Sequence, residues 1–296
     1  MRRADHNLGV YWMQWRDWEP GRFVKQYSAN VNLWRGWDWD GEVYDLGGNI
    51  NGWCELVNEW EIYGGINRDQ EMPSFTLLRG GPSMLVPGGW SWWHGINTDT
   101  RKPIVLGYDG DFYTDDEGFD RYRAAPWVQF KPSSRFDMRV SAAWTDRRVG
   151  HQYVDEIDGS YVVARLDQRI FSMTTRLNYT ITPRMSLQIY AMPFVTAGKY
   201  SDFREVTDPR AERYENRFTT YDYEDNPDFN FKQLRSNLVF RWEYSPGSTL
   251  YLVWSRGATH YEEEYGRYSL GRDLDRMWDA PSDNTFLVKF NKWFSL

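Results

Sequence analysis

Cysteine and histidine are scarce in this sequence, which has one cysteine, Cys54, and four histidines in 296 residues. A lone cysteine cannot form an intrachain disulfide, and no Cys/His spacing typical of a zinc site is present. His6, His94, His151 and His260 lie far apart in the sequence. Neither a nucleophile elbow nor a His-Glu-x-x-His helix accompanies them. We therefore predict no catalytic residue, no cofactor and no enzyme activity.

Long apolar runs are also missing. No stretch approaches the roughly 20 apolar residues that a transmembrane helix needs. The N-terminal segment MRRADHNLGVYW lacks the apolar core of a signal peptide. The formal net charge is −7 and no basic stripe is present, which argues against nucleic acid as a partner. The remaining choice is between a membrane β-barrel and a soluble protein.

Aromatic residues are abundant, at 18% of the chain with 17 tryptophans and 20 tyrosines. This content suits a membrane barrel with aromatic girdles at both interfaces. It equally suits a soluble β-protein that binds glycans. The mean hydropathy of −0.73 is compatible with a barrel, because only every second strand residue of a barrel faces lipid.

Alternation with period two is the dominant pattern. Between Arg169 and Thr182, Phe171, Leu177 and Ile181 fall on one side of a strand, and the residues between them are mostly polar. The same alternation recurs in residues 26–33, 135–144, 185–191 and 233–244. Many runs reach ten or more residues, close to the span of about 9–11 residues that a tilted membrane strand requires.

Short and long connections alternate along the chain. Short ones are predicted at Glu19–Arg22, Leu56–Glu59, Thr98–Pro103, Lys131–Ser134, Thr182–Met185 and Ser245–Ser248, and one more at Gly36–Gly41. Long ones are predicted at Arg68–Gly88, Thr114–Asp120, Arg147–Asp167, Gly198–Asp228 and Gly257–Asp283. In an up-and-down barrel this alternation separates periplasmic turns from outer loops.

The sequence therefore predicts an all-β fold, an antiparallel up-and-down transmembrane β-barrel with about 13–14 strands visible. We expect one barrel domain over residues 1–296. The odd count of about thirteen strands and the missing export signal predict a C-terminal portion of a longer protein, incomplete at its N-terminus. The last strand, Asn284 to Phe294, alternates aromatic and polar residues as terminal strands of outer-membrane barrels do.

Several longer stretches resemble a family of uncharacterised bacterial outer-membrane barrels, a domain of unknown function. The matching stretches are Leu77–Trp90, Asn97–Pro103, Tyr161–Tyr200, Phe229–Ser255 and Asp279–Phe294. Longer members of that family carry an N-terminal domain similar to carbohydrate-binding module family 9, which this chain lacks. The resemblance implies an outer-membrane barrel and supplies no catalytic residue.

Four groups of residues are candidates for a site. Asp109, Asp111, Asp115 and Asp116, with Glu117 and Asp120 nearby, are carboxylates that could bind a cation, although their spacing is not that of an EF-hand. Arg79, Gly80 and Gly81 could fold a loop inward. Arg135, Arg139, Arg176, Arg235, Arg241 and Glu243 are predicted to line the lumen, as an ion-paired wall or a selectivity filter. Trp34, Trp37, Trp39, Trp90, Trp92 and Trp93 could form a girdle or stack on sugars.

The function predicted from these features is porin-like passage or surface binding in the outer membrane of a Gram-negative bacterium. The expected partners are outer-membrane lipid, the barrel-assembly machinery and a glycan or small solute. A secreted, soluble β-protein that binds glycans through its tryptophans is the alternative. A glycan-acting hydrolase with catalytic loop carboxylates is a third reading.

Overall fold

The computed structural model describes residues 5–19, 21–262 and 267–294. Strands dominate this part of the chain. They are β1 (Asn7–Asp17), β2 (Val24–Trp37), β3 (Val43–Leu56), β4 (Glu61–Asp69), β5 (Met72–Ser74), β6 (Met84–Val86), β7 (Gly89–Asn97), β8 (Ile104–Asp115), β9 (Asp120–Ser133), β10 (Phe136–Ile157), β11 (Ser160–Thr182), β12 (Met185–Val206), β13 (Phe218–Thr220), β14 (Phe229–Ser245), β15 (Ser248–Glu262) and β16 (Ser282–Asn291). A 3-10 helix covers Tyr214–Arg217 and the helix α1 covers Leu270–Asp279.

Thirteen of these strands form one antiparallel sheet in the order β1-β2-β3-β4-β7-β8-β9-β10-β11-β12-β14-β15-β16. The short strand β13 pairs with β12, and β5 and β6 form a separate hairpin. Consecutive long strands are neighbours throughout, so the predicted all-β, up-and-down architecture is confirmed. Over the described residues the sheet is open, because β1 and β16 lie at its two edges and do not pair with each other.

The predicted short connections coincide with strand ends in the structure. β9 ends at Ser133 and β10 begins at Phe136, while β11 ends at Thr182 and β12 begins at Met185. β14 and β15 are joined by a similarly tight turn, in which Gly247 has a φ of 72°. Pro20, in the first predicted turn, lies outside the described residues. Proline, glycine and serine at these positions are the local reason why the strands reverse.

The prediction of a long loop over Arg147–Asp167 is wrong. β10 continues to Ile157 and β11 begins at Ser160, so the two strands form one long hairpin. At its tip Asp158 and Gly159 have φ values of 50° and 83°. Two successive residues with positive φ are typical of a type I′ turn, for which Asp-Gly is a favoured pair. The dipeptide marked this turn in the sequence.

Three of the other connections predicted to be long are either a short turn or contain regular secondary structure. β8 ends at Asp115 and β9 begins at Asp120, so Thr114–Asp120 is a tight turn. Gly198–Asp228 holds the end of β12, the 3-10 helix and β13, and Gly257–Asp283 holds the end of β15 and the helix α1. The described residues contain no helix with the length and apolar character that crossing a bilayer requires.

The strand register divides the sheet into two faces. We name the first the apolar face, since most of its side chains are apolar from one edge to the other. It includes Tyr27, Val31, Ile50, Ile66, Phe112, Val128, Val140, Leu177, Ile189, Leu238, Leu252 and Val288. Many of these side chains are exposed, with Ile50 at 66% and Val288 at 69%. No second sheet packs on them in the described chain, so the fold is not a sandwich.

The opposite surface is named the polar face. Its members include Asn30, Asn51, Tyr63, Ser91, Asp109, Gln129, Arg139, Arg176, Gln188, Asn237, Ser255 and Thr285. Side chains that are directly opposite on neighbouring strands lie on the same face, so this ladder of pairs fixes the assignment.

A buried cluster lies at one end of the sheet rather than at its centre. We name this region the cap; it comprises residues 70–88, residues 207–221 and the tip of the β10–β11 hairpin. Its core is formed by Leu78, Met84, Val163, Tyr214 and Phe218. The apolar interior of the protein is therefore concentrated where the long connections meet.

Contacts within the cap join strands that are far apart in the sheet. Arg210, beyond β12, forms an ion pair of 2.6 Å with Glu42, in the turn between β2 and β3. The backbone amide of Leu85 donates a 2.9 Å hydrogen bond to the carbonyl of Pro209. These contacts span most of the width of the sheet at one rim, so the sheet curves and the cap lies across its concave side.

The helix α1 packs over β14 and β15 through Met277, Leu234 and Ala258. Beside this contact Lys232 is fully buried and pairs with Glu262 at 2.5 Å, and Asp273 of the helix lies 3.8 Å away. Buried charges need such partners, because an unpaired charge in an apolar environment is costly. The short helix is therefore held by a buried ion pair as well as by apolar packing.

Candidate functional site

The polar face begins with a ladder of amide side chains on β1, β2 and β3. Gln14 donates to Asn30 at 2.7 Å, and Asn30 donates to Asn51 at 2.9 Å. Asn51 and Asn32 both donate to Asn49, at 2.8 and 2.7 Å. These amides satisfy one another's hydrogen-bonding groups along the sheet surface. This part of the polar face is therefore hydrophilic and the ladder carries no net charge.

Charges on the polar face are separated into two regions. Strands β3 to β8 present seven carboxylates and no lysine or arginine within the paired register: Asp45, Glu55, Glu61, Asp69, Asp109, Asp111 and Asp115. Strands β9 to β14 present seven arginines: Arg121, Arg123, Arg139, Arg147, Arg176, Arg235 and Arg241. One side of the surface is therefore acidic and the other basic.

The predicted lumen residues lie in different settings. Arg139 and Arg176 are directly opposite each other on β10 and β11. Arg241 pairs with Glu243 at 3.2 Å, and Arg235 donates to Gln233 at 3.1 Å. Arg135 lies in the turn between β9 and β10, where its carbonyl accepts from the amide of Thr180. Ion pairing is thus local, and the two central arginines occupy directly opposite positions on neighbouring strands.

The carboxylates predicted as cation ligands are not brought together. Asp109 accepts a 2.5 Å hydrogen bond from the hydroxyl of Tyr63. Asp111 pairs with Arg121 at 2.9 Å, and Asp116 pairs with Arg68 at 2.6 Å. Asp115 accepts from two backbone amides within its own turn. Among the described residues no group of three His, Cys, Asp or Glu side chains has metal-binding geometry.

The Arg79-Gly80-Gly81 motif forms a turn within the cap. Arg79 and Gly80 both have positive φ, at 48° and 118°. A Cβ atom at Gly81 would meet the ring of Tyr161 at 2.6 Å, so glycine permits this close approach. The Arg79 guanidinium lies 4.8 Å from the ring centroid of Tyr153. The motif therefore joins the loop after β4 to the β10–β11 hairpin.

The histidines remain apart in the structure. His151 is buried in the cap beside Tyr214, and His94 lies on the apolar face beside Tyr108. His260 lies 3.2 Å from Glu262 near α1, and His6 precedes β1. Burial, with Arg204 and Arg217 nearby, lowers the pKa of His151 to about 4. A neutral imidazole is the stable form at that position.

The aromatic side chains of the apolar face form two rows. The upper row contains Trp92, Phe112, Tyr122, Trp144 and Phe171, with ring centroids 5.2 Å apart for Trp92–Phe112, 4.7 Å for Phe112–Tyr122 and 5.3 Å for Trp144–Phe171. The lower row contains Phe130, Phe136 and Tyr179, at 5.8 and 6.0 Å. Eight residues separate the rows on β10 and on β11. At a strand rise of about 3.3 Å per residue the rows are about 26 Å apart along the strand.

The predicted tryptophan group is divided between the two faces. Trp90 and Trp92 stack on the apolar face at 6.2 Å, whereas Trp93 lies against Tyr63 on the polar face at 6.5 Å. Trp34 donates to Asp45 at 3.0 Å, and Trp39 is 76% exposed in a turn. The apolar face also carries a groove of about 1230 Å³ between β2 and β7, lined in part by Gly48, Gly52 and Gly64.

Sequence reasoning missed the aromatic residues that support the polar face. Trp127 lies over Gly107 of the neighbouring strand, and Tyr63 lies over Gly95. It also missed a bonded series in which Arg147 donates to Gln168 at 2.6 Å and Gln168 donates to Thr196 at 2.8 Å. Glycines within otherwise regular strands could have indicated the aromatic contacts, because a glycine in a strand often marks the close approach of another group.

A family model described as domain of unknown function (DUF5916) matches residues 2–294. None of the curated proteins compared with the chain matches it. Because the family model covers nearly the whole chain, the protein belongs to the DUF5916 family, a domain of unknown function.

Proposed function

We propose that the chain forms the wall of a membrane-spanning β-barrel in the bacterial outer membrane and that its polar face lines a path for small polar solutes. The observation that carries this proposal is the continuous, exposed apolar face bounded by two aromatic rows. A soluble protein rarely leaves an apolar surface of this extent uncovered. In a membrane barrel an apolar band about 25 Å tall between aromatic girdles contacts lipid.

The curvature of the sheet supports the assignment of the polar face as the inner surface of the proposed barrel. Asp45 and Asp69 of the polar face line one cavity of about 430 Å³ together with His151 of β10, which is five positions from β3 and four from β4 in the sheet. The cap that closes this cavity therefore lies on the polar side. An interior of amides, hydroxyls and charges is the usual lining of a water-filled barrel.

The open edges set a condition for this proposal. Backbone amides and carbonyls on the free edges of β1 and β16 have no strand partner in the sheet. In hydrocarbon each unsatisfied backbone group costs several kcal/mol, so only a closed barrel is stable there. In the membrane form these two edges are paired. In this proposal, outer-membrane lipid and the barrel-assembly machinery are the partners of the chain. An additional domain similar to carbohydrate-binding module family 9 stays a prediction.

The test combines localisation with migration. The full chain, directed across the inner membrane of a Gram-negative host by an added export signal, is expected in the outer-membrane fraction. Boiled and unboiled samples should migrate differently in detergent electrophoresis, because closed barrels resist unfolding by detergent. Insertion into a planar bilayer should then give stepwise conductance. A chain that stays soluble without detergent and migrates identically before and after boiling would contradict the proposal.

A further inference from the structure

Arg139 and Arg176 are paired residue to residue across β10 and β11 on the polar face, and both are exposed. Like charges that are directly opposite on antiparallel strands are destabilising. Within the described residues the side chains of both arginines contact aromatic rings and make no hydrogen bond or ion pair. Arg123 on the same face differs, because Asp111 lies 3.6 Å from its guanidinium. The structure thus retains two adjacent cations without a carboxylate between them.

Aromatic rings hold both guanidinium groups. The Cζ atom of Arg139 lies 3.8 Å from the ring centroid of Trp127, and that of Arg176 lies 5.7 Å from the ring centroid of Tyr190. A guanidinium that stacks on a ring uses its flat face and keeps its N–H edge available. That edge is a fork of donors which matches the oxygens of a carboxylate, a phosphate or a sulfate.

The residues around this pair include several hydrogen-bond donors, and the one neighbouring carboxylate, Asp137, accepts a 2.8 Å hydrogen bond from Gln129. Ser141 and Thr174 are opposite each other in the adjoining row of the polar face. Arg235, on the same face, is a third cation two strands away, and Asn237 is opposite Tyr190. The ionised oxygens of a carboxylate, phosphate or sulfate accept hydrogen bonds, so donors and cations on this surface match them.

We propose that Arg139, Arg176 and Arg235, named the arginine row, bind the oxyanion group of a small solute on the polar face. The ligand class is a solute that carries a carboxylate, phosphate or sulfate group. Binding places a negative charge beside guanidinium groups on two adjacent strands and so offsets the repulsion between them. The inference rests on the proposed function in one respect, that the solute reaches the row through the lumen.

Binding is tested with inorganic phosphate as the probe and the full chain in detergent, by isothermal titration calorimetry. The double variant R139Q/R176Q is expected to bind phosphate about tenfold more weakly or worse, because hydrogen bonds to charged groups are among the stronger ones. The matched control R123Q changes a paired arginine and should stay within about twofold of the wild type. R139K/R176K keeps the charge but loses the fork, and an intermediate affinity is expected.

Thermal unfolding gives an independent readout of the same site. Without phosphate, R139Q/R176Q should unfold at the same or a higher temperature than the wild type, since the opposed charges are gone. Phosphate should raise the unfolding temperature of the wild type and leave that of R139Q/R176Q unchanged. Equal phosphate affinity and equal thermal shifts in the two proteins would overturn the proposal.

Conductance separates this inference from the proposed function. In a planar bilayer, phosphate is expected to reduce the chloride current of the wild type and to have little effect on R139Q/R176Q. Phosphate binding without any conductance would refute passage and leave the arginine row standing. Conductance together with phosphate binding that the glutamine substitutions leave unchanged would refute the arginine row and leave passage standing.

Discussion

The guanidinium of Arg217, fully buried in the cap, lies 2.6 Å from the carboxylate of Glu71, which follows β4. Its other donors reach the backbone carbonyls of Ala211, Leu85 and Glu212 at 2.9, 3.1 and 3.3 Å. One side chain therefore joins the two main segments of the cap. Breaking a buried ion pair by removing one partner leaves a charge and several carbonyls unsatisfied.

We expect Arg217→Gln to destabilise the cap by about 1–3 kcal/mol, because three backbone carbonyls lose their donor while the 38% exposed Glu71 can be hydrated. Arg210→Gln is the control, because its pair with Glu42 is largely exposed and such pairs contribute about 0–1 kcal/mol. The measurement is limited proteolysis of folded protein, with cleavage sites mapped by mass spectrometry. Cleavage within residues 207–221 should accelerate in the first variant only. Equal protease resistance of both variants would argue against Arg217 as the link.

Acid should weaken the cap through His151. Its pKa is lowered from 6.5 to about 4, mainly by burial and also by Arg204 and Arg217. The unfolded chain binds a proton below pH 6.5 while the folded protein does so only near pH 4. Stability therefore falls as the pH drops from 6.5 to 4 and then levels off, with a total of about 3 kcal/mol. Above pH 6.5 this group contributes no pH dependence.

The measurement is thermal unfolding of the wild type and His151→Gln between pH 7 and pH 4. The glutamine side chain keeps a hydrogen-bonding group beside Tyr214 but does not titrate in this range. The difference between the two unfolding temperatures should shrink as the pH falls, because carboxylates that titrate in both proteins cancel. A constant difference over the whole range would show that His151 is protonated freely in the folded state.

Gly107 should tolerate no side chain. A Cβ atom there would overlap the ring of Trp127, which also stacks under Arg139. We expect Gly107→Ala to cost about 1–3 kcal/mol, as overpacking does, and to weaken phosphate binding because Trp127 must move. Gly257→Ala is the matched control, since nothing lies within 4 Å of a Cβ atom at that glycine of the same face. Chemical denaturation of both variants measures the difference.

The assignment of the two faces predicts an asymmetric response to added charge. Val140 lies on the apolar face, four residues from Phe136 and four from Trp144. Val140→Arg should cost about 2–4 kcal/mol in a bilayer, because the charge would be near the membrane midplane. Asn178→Arg places the same charge on the polar face and should have little effect. The readout is the fraction that folds into lipid vesicles, and equal fractions would contradict the assignment.

The sheet could be predicted from the sequence because its determinants are local. Alternating apolar and polar residues assign each strand, and Pro, Gly and Ser mark turns such as those at Pro132, Pro183 and Gly247. The extended β10–β11 hairpin was missed because Arg147–Asp167 is rich in charge and lacks a clean alternation, although its Asp158-Gly159 turn was readable. The helix α1 has only ten residues, too few for a clear period of 3.6.

The interaction partners of the candidate site could not be predicted, because they depend on register. Arg139 lies opposite Arg176 because β10 and β11 pair in one particular register. A register shift of one residue would move these side chains to the other face of the sheet. The separation of the four predicted cation ligands has the same cause. Asp109 and Asp116 alternate with other residues in sequence, yet their partners Tyr63 and Arg68 come from a different strand.

The contact between Arg210 and Glu42 sets an order of events during folding. Most neighbouring strands in this sheet are consecutive in the sequence and form hairpins. Their loops are short, so closing them costs little conformational entropy. The cap instead joins residues 168 positions apart, and that contact is possible only once the strands between them have formed. We therefore expect the hairpins of the sheet to form before the cap closes over one end of it.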